Sequence, residues 1–159
     1  MEKEKFYITT AIDYVNGLPH IGHAYEKIAT DVIARHFKQR GKDVFFLTGS
    51  DEHGIKIQKT AQENGIEPKQ HCDNTSSEFK KAWAKANVDY NRYIRTTDPD
   101  HEKVVQWAFE KLLEKGDIYK SSYTGLYCAG CEAFLTPKEL DENGCCPIHQ
   151  KKPQEVQEE

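Results

Sequence analysis

Apolar residues along the chain alternate between short extended runs and stretches with helical spacing, and that alternation predicts the elements in order. Phe6-Tyr7-Ile8-Thr9-Thr10-Ala11-Ile12 is an extended run suited to a first strand. From His20 to Arg40, Ile21, Ala24, Ile28, Val32, Ile33 and Phe37 recur three or four apart, which predicts a helix with one buried stripe, ended by Gly41. Val44-Phe45-Phe46-Leu47 is apolar on both faces, as a central parallel strand should be. Strand, helix and strand in this order predict a right-handed crossover, with the carboxyl ends of both strands open on one crevice. Residues 55 to 64 read as a helix up to Asn64-Gly65, and Pro68 opens a Lys-rich helix to about Asn87 anchored by Phe79 and Trp83. Tyr90 to Arg95 reads as a third strand. Asp98-Pro99 begins an amphipathic helix with Val104, Val105, Trp107, Ala108, Leu112 and Leu113 inside, and Gly116 ends it. The expected class is α/β, with one unit over residues 1–116 and a smaller one over 117–159. The polar tail from about Gln150 is expected to be disordered as it stands, or an unfinished piece of structure.

Composition narrows this picture. A chain of 159 residues holds one domain with a core, or one domain and a small appendage. A net charge of −4 with scattered Lys and Arg disfavours nonspecific nucleic-acid binding by this chain alone, without excluding an RNA held by other parts. No apolar run approaches membrane-spanning length, and the charged start, Met1-Glu2-Lys3-Glu4-Lys5, leads straight into a strand, so a cytoplasmic protein with no membrane partner is expected. Of five cysteines, Cys72 stands alone in a polar helical stretch and reads as an inert or solvent-edge thiol. The other four crowd into residues 128 to 146, which in a reducing compartment points to metal rather than disulfides.

The first candidate site is Ile12-Asp-Tyr-Val-Asn-Gly-Leu-Pro-His-Ile-Gly-His23, at a junction from strand to helix. Free backbone amides and the positive end of the helix dipole meet there, and Pro19 suits the first helical position. His20 and His23 are three apart and share a face of the first turn, while Gly22 between them lets a base or ribose approach the backbone. Two imidazoles on one side would stabilise charge growing on phosphate oxygens. The plainer alternative is a helix start with two exposed histidines.

A second cluster, Thr48-Gly49-Ser50-Asp51-Glu52-His53-Gly54, ends the second strand and is expected to face the same crevice. Asp51 is either a helix cap for the turn ahead of Ile55 or a carboxylate that pairs with a substrate ammonium. His53 reads as closing the turn. Further on, Cys128-Ala-Gly-Cys131 and Cys146-Pro-Ile-His149 are two ligand pairs, each with two residues between, which predict a closed tetrahedral structural zinc site. Cys145 rivals Cys146, and the Cys-Pro-Ile-His turn favours Cys146.

His20-Ile-Gly-His23 after a first strand is the signature of class I aminoacyl-tRNA synthetases. Together with Thr9-Thr10, Asp13 to Gly17, Phe45 to Gly54, Ile94-Arg-Thr-Thr97 and the knuckle, it resembles the methionyl-tRNA synthetase family from about Phe6 to His149. The resemblance implies the first half of a Rossmann-like parallel sheet with helices on both faces, followed by the start of a connective insertion carrying the knuckle. It also implies that Ile12, Tyr14 and Asp51 bind methionine, with the backbone of Ile12 and the carboxylate of Asp51 on the α-amino group. His20, Gly22 and His23 would bind ATP, with His20 and His23 as the catalytic pair. The implied partners are methionine, ATP with Mg2+, and tRNA(Met). Ala11 and Asp13 stand where many members carry Pro and Tyr, and Asp13 adds a negative charge beside an ATP site.

Members of that family continue into a second half of the fold with a Lys-Met-Ser-Lys-Ser type loop and an anticodon-binding domain. The chain therefore reads as an N-terminal fragment or split subunit, inactive without the missing C-terminal half in cis or as a second chain, its first strand left at an open edge. The rival readings are a zinc-stabilised module that binds nucleotide or a partner without chemistry, a small complete nucleotidyltransferase, and another class I synthetase.

Overall fold

A computed structural model of the chain describes residues 3–159; Met1 and Glu2, part of the charged start, lie outside the described residues. The chain divides into two compact units, one up to Gln106 and one from Trp107.

The first unit is α/β, the first half of a Rossmann-like parallel sheet. It contains β1 (Lys5–Thr9), β2 (Asp13–Tyr14), α1 (Ile21–Gln39), β3 (Asp43–Asp51), α2 (Ile55–Glu63), α3 (Pro68–Lys85), β4 (Arg92–Arg95) and the start of α4 (Pro99–Lys115). All strand pairs are parallel, and β3 is central: β1 and then β2 pair with it, and β4 pairs as well. Among the described residues no strand covers the other edge of β1.

Alternation along β3 separates two faces. Val44, Phe46, Thr48 and Ser50 are buried, and the first two join Ala34 of α1 and Phe79 and Trp83 of α3 in the core. The two expected anchors of α3 are thus inside, at 0 and 1 % exposure. The opposite face carries the exposed rings of Tyr7 and Phe45, and the first turns of α4 flank it near Asp51.

The expected buried stripe of α1 is overturned. Ile21 is 84 % and Val32 62 % exposed, and Ile28 and Ile33 also face out. The inward positions are Lys27, Thr30, Asp31 and Ala34, with Ala24 and Phe37 partly buried beside them. The periodicity is real but marks the outer face, because the inner face is polar and satisfied by partners from other elements and from the helix itself. Lys27 meets Asp13, and Asp31 accepts the Asp89 amide and the Arg35 guanidinium. Likewise no residue of α4 is buried: of the expected inside face Val104, Val105, Trp107, Leu112 and Leu113 are exposed and Ala108 is half-buried. An apolar stripe requires a partner surface but does not supply one.

The second unit begins with the rest of α4 and continues as an antiparallel sheet of β5 (Tyr123–Cys128), β6 (Ala133–Leu135) and β7 (Gln154–Glu158), with β5 central. The tail expected to be disordered instead forms β7. Its backbone bonds along β5 from Tyr127 back to Tyr123, and Val156, opposite Gly125, is its one half-buried side chain. No described helix is long and apolar enough to cross a membrane.

Candidate functional site

The parallel pairing gathers the strand ends on one edge of the sheet, and α1 starts from that edge. His20 is the helix N-cap. Its Nδ1 accepts the Gly22 amide at 3.1 Å, and His23 Nδ1 accepts the His20 amide at 3.2 Å. The rings stack with centroids 3.8 Å apart. Gly22 permits this fold-over, since a Cβ there would sit 3.0 Å from His20 Cε1. Two amides expected to be free for phosphate are thus taken by the histidines themselves. The consequence is chemical: with Nδ1 of each ring used as acceptor, the neutral ring carries its proton on Nε2, pointing a donor away from the helix. Burial lowers the His23 pKa against the pull of Asp13, aided by His20 and Lys27, and keeps that ring neutral at pH 7.

Asp13, which with Ala11 departs from the pattern that the resemblance implies, is not a free charge beside the crevice. It is 4 % exposed and takes the ammonium of the fully buried Lys27 at 2.5 Å. Burial raises its pKa in spite of Lys27. Lys27 also donates to the Ala11 carbonyl at 3.1 Å and to Glu26 at 3.1 Å, and Glu26 accepts the Ala11 amide at 2.8 Å. Burial of Glu26 works against its charge, but the Ala11 amide and Lys27 outweigh it and lower its pKa. These two helix residues clamp the backbone just before Ile12, which is 41 % exposed on the loop between β1 and β2.

Tyr14 lies opposite Asp51 in the pairing of β2 with β3, and the Val15 amide reaches the Asp51 carbonyl at 3.5 Å. Asp51 is not the helix cap. The N-cap of α2 is Gly54, with no side-chain bond, and Asp51 Oδ1 receives the His53 amide at 3.4 Å. Gly54 has φ 126°, and a Cβ there would come 2.6 Å from the Tyr14 hydroxyl oxygen. Asp51 and His53 line an open cavity of about 460 Å3 with Thr96, His101, Glu102 and Val105. Among the described residues His20 and His23 do not line it; Asp13, whose charge acts on His23, precedes Tyr14, the residue paired with Asp51.

Residues that sequence reasoning passed over surround this edge. Glu52 is buried beneath Asp51 and accepts from Ser50, Ser76, Arg95 and Thr97. Its burial would raise its pKa, but the Arg95 fork and the hydroxyls of Ser76, Thr97 and Ser50 hold it down at about 2. Of the two expectations for Cys72, inert or at the solvent edge, the first holds: it is interior, its thiol faces the Glu52 carbonyl at 3.6 Å, and burial pushes its pKa up to about 11.

In the second unit Cys128, Cys131, Cys146 and His149 bring their ligand atoms within 4.8 Å of one another. Cys131 Sγ lies 3.5 Å from Cys146 Sγ, and His149 Nδ1 lies 3.2 to 3.9 Å from the three sulfurs. Zinc–sulfur bonds of about 2.3 Å in a tetrahedron set sulfurs about 3.8 Å apart, so the donor set and its spacing fit structural zinc. Cys145 is outside the cluster, its thiol near the Asn143 carbonyl. Both ligand pairs end alike: Glu132 after Cys131 and Gln150 after His149 have φ of 53° and 51°. Gly130 is needed for closure, because a Cβ there would run into the His149 ring. The Cys131 amide lowers the Cys128 thiol, whereas bonding to Cys146 pushes Cys131 up to about 11. A bound cation would keep all three as thiolates.

A stacked histidine pair at a helix start, an acidic strand end on the same edge and a following four-ligand knuckle match one class: the family model of tRNA synthetases class I (M) covers residues 6–159, and the chain belongs to that family. Within the class, its relatives are methionyl-tRNA synthetases, to whose N-terminal part it corresponds. The chloroplastic/mitochondrial methionine–tRNA ligase of Arabidopsis thaliana is 48 % identical over 149 residues, covering 94 % of this chain and 24 % of that protein. The methionine–tRNA ligase of Clostridium tetani is 48 % identical over 145 residues, with 91 % and 23 % covered. Mycobacterium tuberculosis methionyl-tRNA synthetase, solved in complex with methionyl-adenylate, matches with TM-score 0.89 at 36 % identity, over 98 % of this chain and 31 % of that one. The chain spans about a quarter of the length of these curated relatives.

Proposed function

We propose that this chain carries the first half of a methionine–tRNA ligase active site, with residues 1–116 as half of the nucleotide fold and 117–159 as the start of the connective insertion. The observation that carries the reading is the joining of Tyr14 to Asp51 in the sheet, on the edge from which the stacked His20 and His23 project. Asp51 and the backbone of Ile12 take the α-ammonium of methionine, and Ile12 and Tyr14 line its side-chain pocket. His20, Gly22 and His23 receive ATP, delivered with Mg2+. The methionine carboxylate attacks the α-phosphorus and pyrophosphate leaves. Methionyl-adenylate then passes its aminoacyl group to the terminal adenosine of tRNA(Met). Such a displacement needs in-line positioning and stabilisation of spreading charge, and the Nε2–H donors of the two rings supply the second.

Zinc on Cys128, Cys131, Cys146 and His149 is structural, since four protein ligands leave no open position. Free thiols in that set suit a cytoplasmic setting. The exposed apolar residues Tyr7, Phe45, Ile21 and Val32 support a further partner surface, the second half of the fold in cis or as a second chain. On this reading the 159-residue polypeptide alone is inactive. The test is methionine-dependent ATP–pyrophosphate exchange by the chain alone and with a polypeptide bearing the second half. Exchange only in the mixture supports the reading. Exchange in neither, with nucleotide still bound, favours a non-catalytic binding module.

A further inference from the structure

Two motifs of the chain meet at a buried carboxylate with no part in the chemistry above. Glu52, whose side chain has no exposure, accepts five hydrogen bonds on two oxygens. Oε1 takes Ser50 Oγ at 2.7 Å, Ser76 Oγ at 2.5 Å and Arg95 Nε at 2.6 Å; Oε2 takes Arg95 Nη2 at 2.7 Å and Thr97 Oγ1 at 2.6 Å. Such a carboxylate has no capacity left for a substrate. Arg95 also binds Asp73 of α3 at 2.6 Å, and its amide donates to Asp98 at 2.9 Å. The Glu52 amide in turn donates to Thr96 Oγ1 at 2.9 Å, and the Thr96 amide to the Ser50 carbonyl at 3.1 Å.

The placement of Asp51 gives this network a purpose. Ser50 and Glu52 both turn into it, so strand alternation sends the intervening Asp51 to the opposite face, where it lines the cavity with His53 and Thr96. We propose that Glu52 and Arg95 are the positioning pair of the amino-acid site: their two-pronged bond locks the ends of β3 and β4 to α3 and thereby fixes the direction of the Asp51 carboxylate. A bidentate charge pair suits this role because it sets an angle as well as a distance, which a single-point cation does not. Other side chains of the network act as props on the same carboxylate. This inference rests on Asp51 binding the methionine ammonium.

The test is a KM-against-kcat split in the enzyme completed with its second half, on Arg95→Lys, Glu52→Gln, the mild Thr97→Val and, as reference, Asp51→Asn. Arg95→Lys and Glu52→Gln should raise the KM for methionine about tenfold or more, with the KM for ATP within about twofold, and Thr97→Val should give a smaller rise of the same kind. In the 159-residue chain itself, amide exchange at residues 51–54 should quicken in Thr97→Val and Arg95→Lys while amides of α1 stay unchanged. Methionine KM unmoved in the pair variants, or methionine and ATP KM rising together, would overturn the positioning role. So would unchanged exchange at residues 51–54. If Asp51→Asn leaves methionine KM unmoved, the amino-group assignment itself fails, which separates the two conclusions.

Discussion

Lys27 is fully buried, and its ammonium lies 2.5 Å from the Asp13 carboxylate, joining the first helix to the start of β2. A buried pair of this kind contributes little relative to an apolar pair of the same volume, but losing one partner leaves a charge stranded in the core. Lys27→Met should therefore destabilise the fold by about 3–5 kcal/mol, and Asp13→Leu by a comparable amount, whereas the double variant should recover most of the loss. Urea denaturation of the four proteins checks this. Strictly additive losses would show that the two side chains do not depend on each other.

The buried Glu52 makes a prediction about acid. Its folded pKa, about 2, lies below the ordinary 4.5, so its contribution is fully present above pH 4.5 and is lost as pH falls through that interval toward 2. The shift corresponds to on the order of 3 kcal/mol. Asp13 works in the opposite sense, because its raised pKa makes the folded state the better proton acceptor as pH falls. Stability measured from pH 5 to 2.5 should drop in the parent chain and fall much less steeply in Glu52→Gln. An equally steep acid limb in that variant would assign the loss to other carboxylates.

Gly54 is held at φ 126° against the Tyr14 hydroxyl. Gly54→Ala should cost about 1–3 kcal/mol through strain alone and should also displace Tyr14 from Asp51. The expected result is a lowered thermal midpoint together with altered NMR shifts at Tyr14 and Asp51. A lowered midpoint with those signals unchanged would mean that the backbone absorbs the new methyl.

What the sequence makes legible is what its spacing encodes locally. The histidine pair, the acidic turn after Leu47, and the two ligand pairs of the knuckle each lie within a few residues of one another, so geometry follows from position. The choice of Cys146 over Cys145 belongs here too, because only the former shares a single turn with His149. Hidden features depend on distant partners. Nothing near Lys27 says that it is inside until Asp13 supplies the counter-charge, and Glu52 looks like one more polar turn residue until Arg95 and Ser76 arrive from elements more than twenty residues away. The outer faces of α1 and α4 mislead for a related reason: periodicity tells which residues share a face, and only packing tells which face is in. The strand at Gln154–Glu158 is illegible because its backbone partner, β5, provides nearly all that holds it.

The knuckle should bind one zinc per chain, and binding can contribute on the order of 10 kcal/mol to the fold of so small a unit. Removing the metal with a chelator should melt the sheet of β5, β6 and β7, read by loss of amide-exchange protection at Tyr123–Cys128. Cys146→Ser should reproduce that loss, and Cys145→Ser should not. Equal loss in both variants would mean that the adjacent thiols exchange roles.

Within the same unit, Gln150 is held at φ 51° immediately after the ligand His149, and its amide donates to the Cys146 carbonyl at 2.7 Å. The chain reverses at this residue, so that the carbonyl of the next one, Lys151, accepts the Cys146 amide at 2.9 Å and closes the turn that carries Cys146 and His149. A side chain in the left-handed region costs about 1–2 kcal/mol, and glycine avoids that cost while losing about 0.5–1 kcal/mol through its freer unfolded chain. Gln150→Gly should therefore stabilise the zinc-loaded unit by up to about 1 kcal/mol, seen as a higher thermal midpoint with unchanged zinc stoichiometry. A lower midpoint would mean that the Gln150 side chain contributes more to the turn than its backbone strain removes.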